Sequence, residues 1–152
     1  MSGDFLIVNL TKCTTLGTRA RFLNIKNKTV GRAFSISLVF AGAAQMRRLN
    51  RAYRKKSYTP NVLSFRLAKN EGEIFICPYV AAREARAEGV ALSARVAYLV
   101  IHGLLHLKGY AHGATMIKSE ERLCKSFKLP QPAHSKSWRK KSPAELISAP
   151  TA

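Results

Sequence analysis

The sequence predicts a single α/β (α+β) domain in which a small mixed sheet packs with helices around one central helix. Strand-like runs alternate with helical stretches, and the run Leu92–Lys108 is apolar on nearly every side, which indicates a buried helix. The length of 152 residues and the hydrophobic share of 47% suffice for one core. We place the domain at residues 1–129. Residues 130–152 are rich in Pro, Ser, Ala and Lys without a sustained period, which predicts a basic, disordered tail.

The first half of the chain contains two predicted strands and two predicted helices. Phe5–Leu10 is an apolar run typical of a strand, and Phe34–Phe40 alternates with a strand period. Lys12–Lys28 is ambiguous, because it is basic with scattered apolar residues, and we predict a short irregular helix there. Ala43–Arg54 has a helical period, and Lys55–Asn61 is a loop broken by a proline. The inward face of the second helix is predicted to carry Met46, Leu49 and Tyr53.

Two further strands and two further helices are predicted beyond the loop. Val62–Leu67 and Glu73–Cys77 are short apolar runs on either side of a glycine-containing turn, as expected of strands. Val80–Glu88 is predicted to be a helix that ends at a glycine. After the central helix, Thr115 is placed to cap a last helix that continues to about Lys128.

Three of the chain's 4 histidines lie in the short run IHGLLHLKGYAH. His102 and His106 are four residues apart, so on a helix both imidazoles lie on one face, one turn apart. Gly109 is a natural helix stop, after which the chain can return His112 to the same point. Three converging imidazoles are typical of a catalytic zinc site, in which a fourth position stays open. We therefore predict one Zn²⁺ per chain, held by His102, His106 and His112.

The residue after the first histidine excludes the H-E-x-x-H class of zinc proteases. In that class a glutamate directly after the first histidine is the general base. Gly103 occupies this position, and no residue between His102 and His112 is acidic. Peptide hydrolysis by that mechanism therefore lacks its base.

Basic residues outnumber acidic ones by 26 to 8, which gives a formal net charge of +18. No acidic residue occurs between Asp4 and Glu71. The cations in that stretch are Lys12, Arg19, Arg21, Lys26, Lys28, Arg32, Arg47, Arg48, Arg51, Arg54, Lys55, Lys56, Arg66 and Lys69. Such a distribution indicates a nucleic-acid binder. A generically basic soluble protein is the alternative. A membrane surface is less favoured, because no basic amphipathic helix of the kind that lies on membranes is obvious.

The cysteines and the apolar segments predict the compartment. Cys13, Cys77 and Cys124 are odd in number and show no C-x-x-C spacing, as expected of reduced cysteines in a cytoplasmic protein. The most apolar run, 96–107, is too short to span a membrane. The N-terminal apolar run follows an acid and lacks a basic segment, unlike a secretory signal. We expect a cytoplasmic protein with no membrane partner.

Three sequence blocks occur in an order typical of one known family. IHGLLHLKGYAH is similar to the signature H-G-x-L-H-L-x-G-Y-D-H. Leu49–Phe65 is similar to a block with a Tyr-Arg pair and a P-T-D/N-V-L-S-F strand, and Gly72–Cys77 is similar to G-D-I-x-I-C. Together the blocks span roughly residues 34–129, which is more specific than any single motif. The chain therefore resembles the YbeY family of bacterial ribosomal-RNA maturation factors.

The resemblance implies a fold, a metal and an activity. It implies one α/β domain with a central metal-binding helix, and a metal, usually taken as zinc, on the residues matching His102, His106 and His112. It implies a single-strand-specific endoribonuclease that matures the 3′ end of small-subunit ribosomal RNA and acts in ribosome quality control. The implied partners are ribosomal RNA and the small ribosomal subunit, with a ribosomal protein or an assembly GTPase. Arg54 matches the family's functionally important arginine. By its position alone, Arg54 is equally well interpreted as one solvated cation of a basic helix face.

Ala111 departs from the family pattern, which has an aspartate before the third histidine. Ligand histidines usually donate their second ring nitrogen to a carboxylate or a backbone carbonyl. No acid lies closer to Ala111 in sequence than Glu120. We therefore expect histidines that are oriented by the backbone, and a site slower than one with the aspartate.

Two functions from different classes fit these residues. One is a metal-dependent endoribonuclease. The other is a catalytically weak or inactive RNA- or ribosome-binding assembly factor, in which the metal is only structural. The histidines do not separate the two, because both functions need the metal.

Overall fold

A mixed five-stranded sheet lies at the centre of the molecule. The computed structural model describes residues 2–131 and the strand at 146–148, and its strand order is β1-β2-β4-β3-β5. The strands are β1 (Phe5–Asn9), β2 (Ser35–Phe40), β3 (Val62–Ala68), β4 (Glu71–Ile76) and β5 (Leu146–Ser148). β1 and β4 run parallel to β2, β3 pairs antiparallel with β4, and β5 runs parallel to β3. The predicted mixed sheet and α/β class are confirmed.

Five helices pack with the sheet in the part of the chain that the structure describes. They are α1 (Arg19–Val30), α2 (Ala43–Arg54), α3 (Pro78–Glu88), α4 (Leu92–Lys108) and α5 (Ala114–Ser126). The bounds of α2 and α4 agree with the sequence prediction to the residue. Both helices have a strong local signal, because α2 alternates apolar and basic faces and α4 is apolar nearly throughout.

Helix α1 is longer and more regular than the sequence indicates. The short irregular helix expected within Lys12–Lys28 is wrong, since a regular 12-residue helix runs from Arg19 to Val30. The Thr18 hydroxyl caps it by accepting a hydrogen bond from the Arg21 amide at 3.2 Å. Its apolar residues are few, but Phe22 and Ile25 are fully buried in the main core. Packing on the core therefore orders a segment whose own pattern is weak.

The two faces of the sheet carry separate cores. The larger core includes Ile36, Leu38 and Ile74 of the sheet and most of α4, while the smaller one joins Met46 of α2 to Leu63 of β3 and its neighbours. This division follows from the strand period, which sends alternate side chains to opposite faces. Of the α2 residues predicted to point inward, Met46 is buried, Leu49 is half-buried and Tyr53 is 42% exposed. Tyr53 still packs edge-on against the Phe65 ring at 5.3 Å.

Helix α4 lies close against strands β3 and β4. A Cβ atom at Gly103 would come within 2.9 Å of the Ser64 Oγ and 3.1 Å of an Ile74 methyl group. A Cβ atom at Gly72 would meet the Leu107 side chain at 2.8 Å. The helix therefore approaches the sheet through glycines on both elements. A glutamate at position 103, as in the H-E-x-x-H proteases, would not fit this approach.

Two sequence-based expectations near the C-terminus need correction. Helix α5 begins at Ala114 after Gly113, and no side chain caps it, so Thr115 is not the N-cap. Leu146–Ser148 forms a strand, so the disordered tail predicted for 130–152 is wrong for these three residues. The strand pairs with Ser64–Arg66 of β3, which is a distant contact that no local pattern signals. Residues 132–145 and 149–152 of the predicted tail lie outside the described residues.

No single helix in the part of the chain that the structure describes is long and apolar enough to cross a bilayer. The pair α3 and α4 satisfies length and composition only when taken together, across a bend of 114°.

Candidate metal centre

The structure brings the three predicted metal ligands together at the C-terminal end of α4. His102 and His106 lie one turn apart and are 4% and 2% exposed. Gly109 ends the helix with φ of 111°, a left-handed conformation that glycine adopts without steric cost. The loop that follows returns His112, which is exposed, to the same point. The ligand nitrogens of the three imidazoles all lie within 4.8 Å of one another, so the cluster could hold a metal ion.

The spacing of the two helical histidines fits a tetrahedral metal ion. Their Nε2 atoms are 3.3 Å apart. Two nitrogens about 2.0–2.1 Å from one tetrahedral zinc would be roughly 3.3–3.4 Å apart. The ring centroids of His106 and His112 are 4.6 Å apart, and those of His102 and His112 are 5.5 Å apart. His112 thus closes a triangle around the point at which the two Nε2 atoms are directed.

The hydrogen bonds of the other ring nitrogens assign the tautomers. Nδ1 of His106 faces the backbone carbonyl of Tyr110 at 3.0 Å, and a carbonyl can only accept, so Nδ1 is the donor. Nδ1 of His102 lies 2.5 Å from Oε1 of Glu120. If Nδ1 of His102 likewise donates to the Glu120 carboxylate, both Nε2 atoms, which lie 3.3 Å apart, are left with lone pairs for a metal ion. Nδ1 bound to a neighbouring acceptor and Nε2 left for the ion is the usual arrangement of metal-ligating histidines.

Glu120 is the site residue that the sequence reasoning missed. It lies on α5, is 3% exposed, and uses both carboxylate oxygens: Oε1 faces His102, and Oε2 accepts from the Tyr98 hydroxyl at 3.0 Å. Our expectation that the backbone alone orients the histidines holds for His106 and is wrong for His102. The usual aspartate would lie at Ala111, but here the carboxylate comes from the next helix. Its signal in the sequence was an acidic residue within an amphipathic helix, at a position that the helical period places on the buried face.

A chain of buried polar contacts continues from Glu120 along α4. Burial, followed by the adjacent Glu120 charge, raises the pKa of Tyr98 well above its usual value, so its hydroxyl remains a donor. The Arg95 guanidinium lies 4.9 Å from the centre of the Tyr98 ring and pairs with Glu84 at 3.2 Å. The Asn61 amide also donates to Glu84 at 3.2 Å. These contacts fix α3, α4 and the start of β3 relative to one another, and thereby hold the metal-ligating face of α4 in place.

Ser64 and Tyr98, which lie near the histidines, have structural roles. Ser64 is buried, and its hydroxyl donates to the Gly103 carbonyl at 3.1 Å, so it fastens β3 to α4. Tyr98 is 4% exposed and lies in the main core, one helical turn before His102. Neither residue is directed at the point where the three imidazoles converge.

Arg54 is held more firmly than the other cations of α2. Its Nη1 atom donates to Oδ1 of Asn50 at 3.1 Å and to the Tyr58 hydroxyl at 3.0 Å. Asn50 is fully buried, and its amide donates in turn to the Tyr58 carbonyl at 2.9 Å. By contrast, Arg47, Arg48 and Arg51 are exposed. The guanidinium is therefore oriented by the loop after α2, which distinguishes Arg54 from a solvated member of the basic face. Its role in catalysis stays a prediction.

Comparison with known proteins identifies the family. The family described as "Endoribonuclease YbeY" matches residues 10–128, which include α2, the β3–β4 pair and all three histidines. The chain belongs to the YbeY family. This membership supports an RNA endonuclease role.

Individual YbeY relatives differ in how much of their length the chain covers. An Endoribonuclease YbeY of Thiobacillus denitrificans is 40% identical over 111 residues, which are 66% of this chain and 74% of the relative. One of Aromatoleum aromaticum is 47% identical over 76 residues, which are 48% of this chain and 49% of the relative. The solution structure of TM1509 from Thermotoga maritima matches with a TM-score of 0.61 at 22% identity, over 90% of this chain and 92% of that one. The last comparison confirms the fold.

Proposed function

We propose that this YbeY-family protein is a zinc-dependent endoribonuclease that cleaves single-stranded RNA at the His102, His106 and His112 cluster. The observation that carries the proposal is the facing pair of Nε2 lone pairs at 3.3 Å, with both Nδ1 positions already committed to other partners. Imidazole ligands suit zinc. Three protein ligands leave a fourth coordination position, which is the pattern of catalytic rather than structural zinc sites.

The residues around the cluster prepare it for a phosphodiester substrate. A zinc ion bound there would lower the pKa of its water to about 7 and polarise a phosphoryl oxygen. Glu120 and the Tyr110 carbonyl hold the rings of His102 and His106 in their ligating orientation. His112 is the exposed member, so an RNA strand can approach from its side. Arg54 is pre-oriented by Asn50 and Tyr58 and offers a guanidinium to neutralise the scissile phosphate.

The substrate proposed for this activity is the 3′ end of small-subunit ribosomal RNA, in maturation and ribosome quality control. The charge of +18 and the exposed arginines of α2 support a polyanionic partner. The small ribosomal subunit, with a ribosomal protein or an assembly GTPase, is the proposed setting. Cys13, Cys77 and Cys124 are free thiols, which supports the cytoplasm as the compartment.

The proposal is tested by cleavage of a single-stranded RNA and of the same sequence as a duplex. We expect cleavage of the single strand only, loss of cleavage after chelation, and recovery when zinc is added back. Arg54→Ala should keep the metal and lose about 100-fold in rate, as expected for loss of one charge-stabilising donor. Arg83→Ala, which removes an exposed cation from α3, is the matched control and should cleave normally. Metal-loaded protein that binds single strands without cutting them would contradict the proposal and support an assembly factor with a structural metal.

A further inference from the structure

A polar cavity lies between α1 and β1, away from the histidine cluster. None of the three histidines lines it. Its volume is about 410 Å³. The residues that matter for its chemistry are Phe5, Arg19, Asn24, Lys26, Asn27 and Arg32. No residue that lines it is acidic. The cavity therefore combines three cations and two amides with no carboxylate of its own.

Lys26 is the unusual member of this cavity, because it is a buried cation. Its side chain is 1% exposed, and burial lowers its pKa. The ammonium donates to the Arg32 carbonyl at 3.0 Å and to Oδ1 of Asn27 at 3.3 Å. No ion pair found among residues 2–131 involves Lys26. Two of its three N–H donors are thus used by neutral acceptors, which leaves one donor for a further partner.

A buried ammonium group is costly without a counter-charge. The carbonyl of Arg32 and the C-terminal end of α1 offset part of the charge, since both present partial negative charge. They remain dipoles, and buried charges in proteins are normally paired with an opposite charge. The nearest acids in sequence, Asp4 and Glu71, do not line the cavity. The lining of the cavity therefore provides no negative charge to pair with Lys26.

The cavity rim supplies two further cations, Arg19 and Arg32, of which Arg19 is held by contacts with Phe5. Nη2 of Arg19 donates to the Phe5 carbonyl at 2.8 Å, and its guanidinium lies 5.3 Å from the centre of the Phe5 ring. Arg19 and Arg32 are both exposed, so the mouth of the cavity is accessible to solutes. A planar guanidinium with several N–H donors matches the geometry of phosphate oxygens.

We propose that this cavity is a phosphate-binding site that receives the phosphate of a nucleotide unit. The volume lies within the range of small-molecule sites, so a phosphate can enter together with the sugar that carries it. Lys26 contacts the phosphate from inside the cavity, and Arg19 and Arg32 contact it from the rim. The assignment of that unit to an RNA chain rests on the proposed function, whereas binding of the phosphate itself does not.

The test measures binding rather than cleavage, by calorimetry on the full-length, metal-loaded protein. The probes are inorganic phosphate, adenosine monophosphate and adenosine. The variant Arg19→Gln/Arg32→Gln removes both rim cations, and Arg83→Gln/Arg86→Gln removes two exposed cations from α3 as the charge-matched control. We expect the affinity for both phosphates to fall about tenfold or more in the rim variant and less than about twofold in the control, since charge-assisted hydrogen bonds are the strong ones. Adenosine should bind no more weakly to the rim variant than to the wild type.

Equal phosphate affinities in the wild type, the rim variant and the control would overturn the proposal. Lys26→Met gives a second readout, because the heat stabilisation that adenosine monophosphate confers on the wild type should be lost. If Lys26 only fastens α1 to the following turn, this stabilisation would persist, and the site would be refuted. A single-stranded RNA hexamer then separates the sources: weaker binding by the rim variant indicates a chain phosphate, and unchanged binding indicates a free nucleotide. If the wild-type protein shows no nuclease activity but the phosphate affinities differ among the variants as expected, only the proposed function is refuted.

Discussion

The histidine cluster and the basic face of α2 are both built on helices, but they hold their functional groups differently. At the cluster, His102 and His106 are buried, and each ring nitrogen directed away from the convergence point has a short polar contact. On α2, Arg47, Arg48 and Arg51 extend into solvent. Arg54 lies between these extremes, half-buried and bonded to Asn50 and Tyr58.

This difference indicates two kinds of recognition in one domain. A metal ion needs ligands at fixed positions before it arrives, and buried hydrogen bonds hold the imidazole rings in those positions. A polyanion is attracted over a longer distance by the summed charge, and no single exposed arginine has to be fixed. Substitutions at the cluster should therefore have large, local effects, whereas substitutions on α2 should have graded effects that depend on salt.

The largest effect is expected from His102→Ala/His106→Ala. Two of three ligands are removed, so the metal content should fall from about one divalent ion per chain to nearly none. Elemental analysis of the purified protein measures this directly. His134→Ala, at the fourth histidine, is the control, and it should keep the full metal content. Equal metal content in the double variant and the wild type would show that the cluster is not the site.

Glu120→Gln should have the next largest effect. The amide keeps the shape of the side chain but loses the charge that faces His102, and loss of such a partner typically costs about 10–100-fold in metal affinity. Competition with a chromogenic chelator gives the affinity. Glu121→Gln alters the adjacent, exposed carboxylate and should change the affinity little. If both variants bind the metal alike, the buried carboxylate does not support the ligand.

On α2, Arg47→Gln/Arg51→Gln should leave the metal content unchanged and reduce the salt dependence of RNA binding. Each phosphate contact on a single strand contributes roughly 0.7 to the slope of log affinity against log salt, so the slope should fall by up to about 1.4. Fluorescence anisotropy at several salt concentrations measures it. The same measurement on Arg83→Gln/Arg86→Gln should give the wild-type slope. A shared decrease in both variants would mean that net charge, rather than the α2 face, sets the dependence.

Ala111→Asp should have a smaller effect than the family pattern suggests. The missing aspartate led us to expect a slow site that this substitution would improve. Glu120 and the Tyr110 carbonyl already occupy the Nδ1 atoms of His102 and His106, so we now expect less than about threefold change in metal affinity, well below the usual 10–100-fold. A tenfold gain would show that the third ligand, His112, lacks support in the natural sequence.

The smallest effect concerns the thiols. Cys13 is half-buried, whereas Cys77 and Cys124 are buried, and burial raises the pKa of Cys124 from 9.0 to about 12. A thiol reagent at neutral pH should therefore label Cys13 in the folded protein and the other two only after unfolding. Because the folded pKa of Cys124 lies above the unfolded one, its contribution to stability is complete below pH 9 and is lost as the pH rises toward 12. Rapid labelling of Cys124 in the native state would contradict this burial.

Local periodicity was enough to predict the bounds of α2 and α4 and the convergence of the three histidines. The reason is geometric, since a helix places residues four apart on one face wherever it occurs in a fold. Gly109 then ends the helix soon after His106, so the chain can turn back and bring His112 close to the other two histidines. These features depend on neighbours in sequence, so the sequence alone determined them.

Packing between distant segments decided the rest. Glu120 reaches His102 from another helix, β5 joins β3 across some eighty residues of sequence, and α1 is ordered by a core that its own residues hardly indicate. In the sequence, Gly103 indicated only the absence of a catalytic glutamate. In the structure, the lack of a Cβ atom at Gly103 lets α4 approach Ser64 of the sheet closely. The sequence does not distinguish Lys26 from the other cations of the first half of the chain. The fold buries it beside a cavity. Burial and partner choice are properties of the assembled tertiary structure, because they depend on which surfaces meet, and no local period encodes that.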